Sequence, residues 1–325
     1  IEERERQTLS PYAALSAETR GREYPIDPCP VRTAFVRDRD RIIHCKSFRR
    51  LKHKTQVFLS PIGDHYRTRL THTLEVAQIA RTIARGLLLN EDLTEAIAMG
   101  HDLGHTPFGH SGESVLNRIV PGGFEHNKQS LRIVEKLENG KGLNLTFEVR
   151  DGILNHKKSG HPSTLEGVVV SLADRIAYVN HDIDDAVRAG LLSNDILPKS
   201  CIEAIGATHG ERINTLVLDI LQTSSGKNHV EMSGEISSEF EKLRQFLFDN
   251  LYHDSAAKAE EGKAEGVIER LYYHYLKHVS ELPPEFTKYI DEDGPDRIAA
   301  DYIACMTDRY AVRDYTRLFV PADWA

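Results

Sequence analysis

The sequence predicts an all-α protein, and two observations lead to this prediction. Several segments repeat apolar residues every three and four positions, which is the spacing of one face of an α-helix. No segment alternates apolar and polar residues strongly enough to predict a β-strand. The chain has 325 residues, 40% of them hydrophobic and 28% charged, so it can bury one large core or two smaller ones.

The first half of the chain predicts a series of helices joined by short loops. The clearest is residues 68–89, where Leu70, Leu74 and Ala77 begin an apolar face that continues to Leu87. A second helix is predicted over residues 93–103, followed by a loop over 104–110 that contains Gly104, Pro107 and Gly109. Further helices are expected over residues 113–119, 127–137 and 145–155.

The longest predicted helix covers residues 165–190 and has two faces. Its apolar face includes Val169, Ile176 and Ile183. A second stripe is polar and lies along one side of the same helix; its members are Asp174, Tyr178, His181, Asp182 and Asp185. Because acids are rarely buried without a partner, a stripe flanked by so many apolar residues indicates a functional surface.

The remaining segments divide the chain into three parts. Residues 1–30 carry four prolines and little apolar periodicity, and predict a loose N-terminal arm. Residues 31–192 form the predicted core that holds the candidate site, and residues 193–325 form a C-terminal helical region packed on it. Within that region, residues 223–236 predict a mobile loop, residues 254–266 a solvated charged stretch, residues 291–296 an acidic turn, and residues 297–319 a final helical region.

Charge and cysteine content exclude several classes of protein. The net charge of −8 argues against a protein that mainly binds duplex nucleic acid. The four cysteines are far apart in the chain and predict reduced thiols rather than a disulfide framework. No apolar run approaches the ~20 residues that span a bilayer, and the charged N-terminus is not that of a signal peptide. We expect a cytoplasmic enzyme.

Four polar residues have the order and spacing of a buried metal site built on helices: His72, the adjacent pair His101 and Asp102, and Asp174. Burying an imidazole beside a carboxylate costs free energy unless a cation or another partner compensates the charge. Two nitrogen and two oxygen ligands suit a divalent ion such as Mn²⁺, Mg²⁺, Fe²⁺, Co²⁺, Ni²⁺ or Zn²⁺. Such an ion polarises a phosphoryl oxygen.

Further titratable residues follow the His101–Asp102 pair. His105 lies four positions after His101, and His126 follows the next loop. His110 and Glu113 are three residues apart and could form a hydrogen-bonded pair in which the carboxylate orients the imidazole. A structural metal site does not need these residues, whereas hydrolysis does, because a leaving oxygen must be protonated. Residues 37–54 are rich in arginine and lysine. They predict either a solvated helix with internal Asp–Arg pairs or an anion-binding wall.

These residues resemble the HD-domain superfamily of metal-dependent phosphohydrolases, and within it the shorter bacterial branch of the deoxynucleoside triphosphate triphosphohydrolases, the dGTPase-like proteins. The resemblance spans roughly residues 30–320 and is carried by the order of His72, His101-Asp102 and Asp174. It is also carried by the segments around them, which are residues 37–44, 48–58, 64–73, 100–110, 124–127, 173–182 and 301–310. It implies an HD-domain helical core with additional C-terminal helices.

The resemblance implies that a dNTP is hydrolysed to deoxynucleoside and inorganic triphosphate. The metal ligands would be His72, His101, Asp102 and Asp174. His110 and His126 would transfer protons or stabilise the transition state, with Glu113 orienting His110. The implied substrate-binding residues are Arg69, His105, Arg175 and Tyr178 at the triphosphate, and Arg50 and Asp182 near the sugar. It further implies a homo-oligomer, a tetramer or hexamer, with a dNTP activator between subunits.

Two other functions remain open from the residues alone. Another HD phosphohydrolase, acting on nucleoside monophosphates or cyclic phosphodiesters, would share the four ligands but would not require Arg69, Arg175 or the His110, Glu113 and His126 group. A non-catalytic module that senses nucleotides would keep the fold, and loss of a ligand would favour it. None of the four ligands is lost in this sequence.

Overall fold

The computed structural model describes residues 1–56, 67–188, 190–193, 196–251 and 255–321, without the side chains of residues 251 and 255–259. Residues 57–66, which include parts of two segments quoted for the resemblance, lie outside the described residues. In chain order the α-helices are α1 (Glu2–Thr8), α2 (Ala34–Ile43), α3 (Lys46–Arg50), α4 (Arg69–Gly86), α5 (Glu91–Gly100), α6 (Gly109–Ile119), α7 (His126–Arg132), α8 (Phe147–Asn155), α9 (Leu165–Arg188), α10 (Lys199–Ile205), α11 (His209–Ser224), α12 (Gly234–Leu251), α13 (Ser255–Lys277), α14 (Pro284–Thr287), α15 (Ile290–Ala304) and α16 (Asp308–Phe319).

The all-α prediction is confirmed. No strand forms in the described parts of the chain, where a single isolated bridge pairs Thr55 with Thr68. The helices predicted over residues 68–89 and 165–190 are α4 and α9. The helix predicted over 127–137 is α7 followed by one turn of π-helix, Ile133–Leu137. Within the described residues, no helix is both long enough and apolar enough to cross a membrane.

Three segments differ from their predictions. Residues 291–296, expected to form an acidic turn, lie within α15, which has a non-helical backbone at Gly294. The N-terminal arm is held in place rather than loose, because the Glu5 carboxylate accepts hydrogen bonds from the backbone N–H and hydroxyl of Ser16, and Glu166 accepts one from the Ala14 N–H. Residues 254–266 were expected to be a solvated charged stretch. Residues 255–266 are the first half of α13, and residue 254 lies outside the described residues. Alanine, glutamate and lysine are strong helix formers, and the composition that indicated exposure also favours a helix.

The chain folds as two compact units that interleave along the sequence. Unit 1 contains Ile1–Ile43, Thr71–His101 and Asn144–Asp254, and unit 2 contains His44–Leu70, Asp102–Leu143 and Ser255–Ala325. The predicted division of the chain at residues 30 and 192 remains a prediction. The peptide bond between His101 and Asp102 is one of the places where the chain passes from one unit to the other.

Unit 1 is built around α5, whose residues Leu93, Ala96, Ile97 and Ala98 are fully buried. This helix packs against α2, α8 and α9. The Asn90 side chain caps its first turn by accepting a hydrogen bond from the Leu93 N–H at 3.1 Å, which satisfies a donor that has no partner inside the helix. The result is a rigid helix that ends at Gly100, directly before His101.

Unit 2 has its own apolar core, formed mainly by α6, α13 and α15. Val115, Leu116, Ile268, Leu271 and Ile298 are all fully buried in it. Helix α13 packs against α6, α15 and α16. The side chains that precede and follow α6 in the sequence are therefore carried on a packed scaffold.

Candidate functional site

Three of the four predicted metal ligands come together in unit 1. His72 lies in the first turn of α4, His101 directly follows α5, and Asp174 lies in the middle of α9. Nε2 of His72 is 3.1 Å from Oδ1 of Asp174, and Nε2 of His101 is 3.7 Å from the same oxygen. One ligand atom from each residue lies within 4.8 Å of the others. Both histidines are buried and Asp174 is partly buried.

This donor set fits a divalent metal ion. Nδ1 of His101 lies 2.7 Å from the carbonyl oxygen of Ala98, so it is the protonated nitrogen and donates to that oxygen. Nε2 therefore carries the lone pair on the side that faces Asp174. Burial disfavours the Asp174 carboxylate, but its contact with His72 and its closeness to His101 outweigh the burial, so the pKa of Asp174 lies well below its usual range. Two imidazole nitrogens and an ionised carboxylate are ligands that Mn²⁺, Fe²⁺, Co²⁺, Ni²⁺ and Zn²⁺ accept.

The fourth predicted ligand, Asp102, contacts Arg69 and His105 within unit 2. Its Oδ2 pairs with Nη1 of Arg69 at 3.0 Å, and its Oδ1 lies 3.1 Å from Nε2 of His105. Arg69 is only 1% exposed. Among the described residues, its Nε and Nη2 atoms have no hydrogen-bond partner. A buried guanidinium with two unused donors is prepared for an anion.

His105 and His126 stack face to face in unit 2. Their ring centroids are 3.9 Å apart and the rings are within 16° of parallel. Gly104 makes this possible, because a Cβ at that position would collide with the backbone of His126 and Ser130. Burial, reinforced by the charges of Arg69 and His126, lowers the pKa of His105 well below its usual value. His105 therefore stays neutral beside Asp102.

The structure gives Glu113 a partner different from the one predicted. We expected it to orient His110, but its carboxylate accepts hydrogen bonds from Nδ1 of His126 at 2.8 and 3.0 Å and from the His126 backbone N–H at 3.0 Å. Burial disfavours the Glu113 carboxylate, but the His126 hydrogen bonds outweigh it, so the pKa of Glu113 is strongly lowered. His110 is exposed, and its ring centroid is 6.0 Å from that of His105.

Two cations of the basic segment over residues 37–54, Arg39 and Lys54, are engaged by internal contacts. Arg39 pairs with Glu95 at 3.0 Å and with Asp40 at 3.2 Å. Lys54 is buried, and its Nζ donates to the backbone carbonyls of His105 and Ala304. Burial lowers the pKa of Lys54 to about 7. For Arg39, these contacts favour the predicted alternative of a helix with internal ion pairs. Lys54 instead supports the loop that carries His105.

Arg50 lines a cavity of about 360 Å³ within unit 2, together with Lys46, Lys288 and Cys305. Burial lowers its pKa, but the Cys305 thiol and nearby carboxylates outweigh this, and the pKa of Arg50 is raised. Its predicted role near a sugar remains a prediction.

Arg175, Tyr178 and Asp182 lie on successive turns of α9 in unit 1. Nη2 of Arg175 is 3.1 Å from Oε2 of Glu241. Tyr178 is partly buried and Asp182 is 2% exposed. Burial, followed by the charge of Asp174, raises the pKa of Tyr178. The hydroxyl therefore remains a hydrogen-bond donor at neutral pH.

Two cations beside Arg175 were not predicted. Arg244 and Lys158 bind the same carboxylate as Arg175, with Nη2 of Arg244 2.5 Å from Oε1 of Glu241 and Nζ of Lys158 3.2 Å from Oε2. The Arg244 hydrogen bond lowers the pKa of Glu241 to about 2. Three cations on one carboxylate leave two positive charges in excess. Lys158 and Arg244 lie in segments with no recognisable motif, so only the folded structure could identify them.

Two families of known domains match parts of the chain. Residues 69–179 match the HD domain, and residues 230–317 match the phosphohydrolase-associated domain. The chain is 60% identical over 324 residues to a deoxyguanosinetriphosphate triphosphohydrolase-like protein of Caldanaerobacter subterraneus subsp. tengcongensis, covering 99% of this chain and 96% of the relative. It is 52% identical over 331 residues to the protein of the same name from Clostridium perfringens strain SM101, covering 99% and 97%.

A solved structure shows the same fold. The phosphohydrolase of Bacteroides thetaiotaomicron VPI-5482 aligns with a TM-score of 0.54 at 16% identity, covering 86% of this chain and 68% of that chain. At this identity the likeness concerns the fold alone. The sequence matches extend over nearly the whole chain, and they assign it to a family of hydrolases. The chain belongs to the HD-domain phosphohydrolase family, among the deoxyguanosinetriphosphate triphosphohydrolase-like proteins.

Proposed function

We propose that this protein hydrolyses deoxynucleoside triphosphates to deoxynucleoside and inorganic triphosphate, using a divalent metal ion. Water adds to the α-phosphorus, the bond from that phosphorus to the 5′-oxygen breaks, and the 5′-oxygen takes up a proton. The names of the similar proteins support this reaction class. The observation that carries the proposal is Arg69, a buried guanidinium with two unused donors beside His105 and Asp102.

The metal ligands in this proposal are His72, His101, Asp174 and Asp102. The first three converge within unit 1, and Asp102 is included because it follows His101 directly in the chain and matches the family motif. When bound, a divalent ion supplies a Lewis acid for a phosphoryl oxygen. The proposal leaves the identity of the ion open among Mn²⁺, Mg²⁺, Fe²⁺, Co²⁺, Ni²⁺ and Zn²⁺.

The phosphates are bound by Arg69 and by the cluster of Arg175, Arg244 and Lys158. A triphosphate carries close to four negative charges and needs cations beyond a single metal ion. Arg69 offers Nε and Nη2 as donors. Arg175, Arg244 and Lys158 share one carboxylate and retain excess positive charge. In a chain of net charge −8, such local positive charge favours a small polyanion over an extended nucleic acid.

His126 donates the proton to the leaving oxygen. The Glu113 carboxylate accepts from Nδ1, so this nitrogen is protonated and Nε2 is the nitrogen that exchanges a proton with substrate. The lowered pKa of Glu113 keeps the carboxylate charged, so it continues to accept from the His126 ring and to hold its orientation. His110 assists in proton transfer. Tyr178 and His105 contact the phosphates, and Asp182 and Arg50 contact the sugar.

Product analysis tests the proposal. Purified protein is incubated with Mn²⁺ or Co²⁺ and with each dNTP singly and as a mixture, and the products are separated by anion exchange. We expect inorganic triphosphate and deoxynucleoside in equal amounts. Orthophosphate or pyrophosphate would contradict the proposal, and so would hydrolysis confined to nucleoside monophosphates or cyclic phosphodiesters.

The proposal also includes a homo-oligomer, a tetramer or hexamer, whose activity a second dNTP stimulates between subunits. It rests on the family resemblance alone. Analytical ultracentrifugation with and without a dNTP mixture tests it, and a monomer under both conditions would contradict it.

A further inference from the structure

His72 makes polar contacts through both nitrogens of its ring. Its Nε2 lies 3.1 Å from Oδ1 of Asp174, on the side of the proposed ion. Its Nδ1 lies 3.4 Å from Nδ1 of His181, which is fully buried on α9. The rings are nearly perpendicular, at 88°, with centroids 5.5 Å apart. The edge of one ring therefore approaches the other, and the two nitrogens are neighbours.

The contacts continue from His181 to Glu75. Nε2 of His181 is 3.2 Å from Oε2 of Glu75. Glu75 follows His72 by three residues on α4, so both residues face the same side of that helix. His181 is contributed by α9 and lies between them. All three residues, and Asp174, belong to unit 1.

One arrangement of protons satisfies these contacts together. A His72 that offers the Nε2 lone pair to a metal ion carries its proton on Nδ1. This N–H then donates to Nδ1 of His181, which must be unprotonated to accept it. The His181 proton is therefore on Nε2, which lies 3.2 Å from Oε2 of Glu75. The tautomer of His72 is thus coupled to that of His181.

The other histidine ligand is supported differently. Nδ1 of His101 donates to the backbone carbonyl of Ala98 at 2.7 Å, and no side-chain substitution removes a backbone carbonyl. His72 instead has a side chain, His181, beside its second nitrogen. Groups that hold the second nitrogen of a ligating histidine fix its orientation and raise its basicity, and their loss costs about 10- to 100-fold in metal affinity.

We infer that His181, which lies beside Glu75, is a positioning residue that fixes the tautomer and ring orientation of His72 and so sets the affinity of the metal site. The inference rests on the proposed function to the extent that His72 is taken as a metal ligand. It assigns a role to two residues outside the predicted ligand set, and it distinguishes that role from simple packing of two rings.

The test measures Co²⁺ affinity without turnover. Co²⁺ binding is followed by competition with a chromophoric chelator and by its visible absorption, at one fixed pH, in wild type and in His181→Phe, His181→Asn, Glu75→Gln and Gln78→Ala. Phenylalanine keeps a ring without nitrogens, whereas asparagine restores an acceptor close to the position of Nδ1. Gln78 is exposed on α4 and serves as the matched control. Thermal melting of each metal-free protein reports on folding.

We expect His181→Phe to bind Co²⁺ about 10- to 100-fold more weakly than wild type, with a changed visible spectrum. His181→Asn should recover most of the affinity, Glu75→Gln should show a smaller loss, and Gln78→Ala should equal wild type. Unchanged affinity in His181→Phe, or equal losses in the Phe and Asn variants, would overturn the inference.

Separate controls distinguish a folding defect from the absence of a metal site. If His181→Phe does not fold, Glu75→Gln decides: weaker Co²⁺ binding with unchanged melting supports the inference, and unchanged binding overturns it. A wild-type protein that does not bind Co²⁺ would reject the metal site and the inference with it. Normal binding by wild type with no effect of His181→Phe would reject the inference alone.

Discussion

The carboxylate of Glu113 holds His126 at two points, accepting from the ring Nδ1 at 2.8 Å and from the backbone N–H at 3.0 Å. The backbone contact fixes the start of α7, and the ring contact fixes the tautomer. His126 also stacks on His105. The ring is thus oriented from two sides, which is the condition for a histidine that must present one nitrogen to a reacting group.

Replacing His126 should slow the chemistry without removing the metal. We expect His126→Ala to lower kcat about 10²- to 10⁴-fold, because an acid–base group is lost, while metal content stays at the wild-type level. Glu113→Gln should fall between this variant and wild type, since an amide can still contact the ring but carries no charge. Steady-state kinetics and elemental analysis provide both readouts. Wild-type kcat in His126→Ala would remove His126 from the mechanism.

Replacing Asp174 should remove metal and activity together. Asp174 is the carboxylate that both His72 and His101 approach, so Asp174→Ala deletes the ligand common to the group. We expect loss of bound metal after dialysis and loss of turnover. Asp249→Ala, at an exposed aspartate on α12, is the control and should retain both. Full metal occupancy in Asp174→Ala would contradict the ligand assignment.

Arg69 should determine phosphate binding through the shape of its side chain as well as its charge. We expect Arg69→Lys to lower kcat/KM about 10- to 100-fold, the value of one hydrogen bond to a charged group, since lysine lacks the planar fork. Inorganic triphosphate should inhibit the variant correspondingly less. Arg85→Lys, exposed on the same helix and paired with Glu91, should behave as wild type. Equal inhibition of Arg69→Lys and wild type would argue against a phosphate contact.

Glu166 should make unfolding depend on pH between about 4.5 and 7. The side chain is fully buried, and this burial raises its pKa to about 7 despite hydrogen bonds from the Asn90 and Ala14 N–H groups. The folded protein therefore holds this proton more tightly than the unfolded chain. Its stabilising contribution is complete below pH ~4.5 and is lost as pH rises through 7.

At about 1.4 kcal/mol for each pKa unit, the loss is on the order of 3 kcal/mol. Glu166→Gln does not ionise and should flatten this part of the profile. Urea unfolding of wild type, Glu166→Gln and the exposed control Glu203→Gln at pH 5.5 and 7.5 provides the comparison. Identical pH dependence in wild type and Glu166→Gln would show that Glu166 does not titrate in this range.

Local pattern was sufficient for most of the helices, and it selected His72, His101 and Asp174, which the structure brings together. The apolar spacing after Leu70 predicted α4, and Asn90 caps the helix that precedes His101. Because helical periodicity depends on residues that are close together in the chain, it can be recognised in a single sequence. We expected His72, His101 and Asp174 to converge because of their order in the chain and because burying a charged group without a partner costs free energy.

Contacts between residues that are far apart in the chain could not be predicted from the sequence. Glu113 was paired with His110 because the two are three residues apart, but its contact is His126, which returns to it after a loop. Lys54 was read as part of a charged surface, yet its stem is buried and its ammonium group donates to two backbone carbonyls. Glu75 carries no motif of its own. Its contact with His181 depends on how α4 packs against α9.

The most direct test of the central claim is hydrolysis of a single dNTP in H₂¹⁸O, with mass spectrometry of both products. Attack on the α-phosphorus predicts one ¹⁸O in the inorganic triphosphate and none in the deoxynucleoside. Label in orthophosphate, in pyrophosphate or in the 5′-hydroxyl of the deoxynucleoside would contradict the account, because each requires water to attack a different atom.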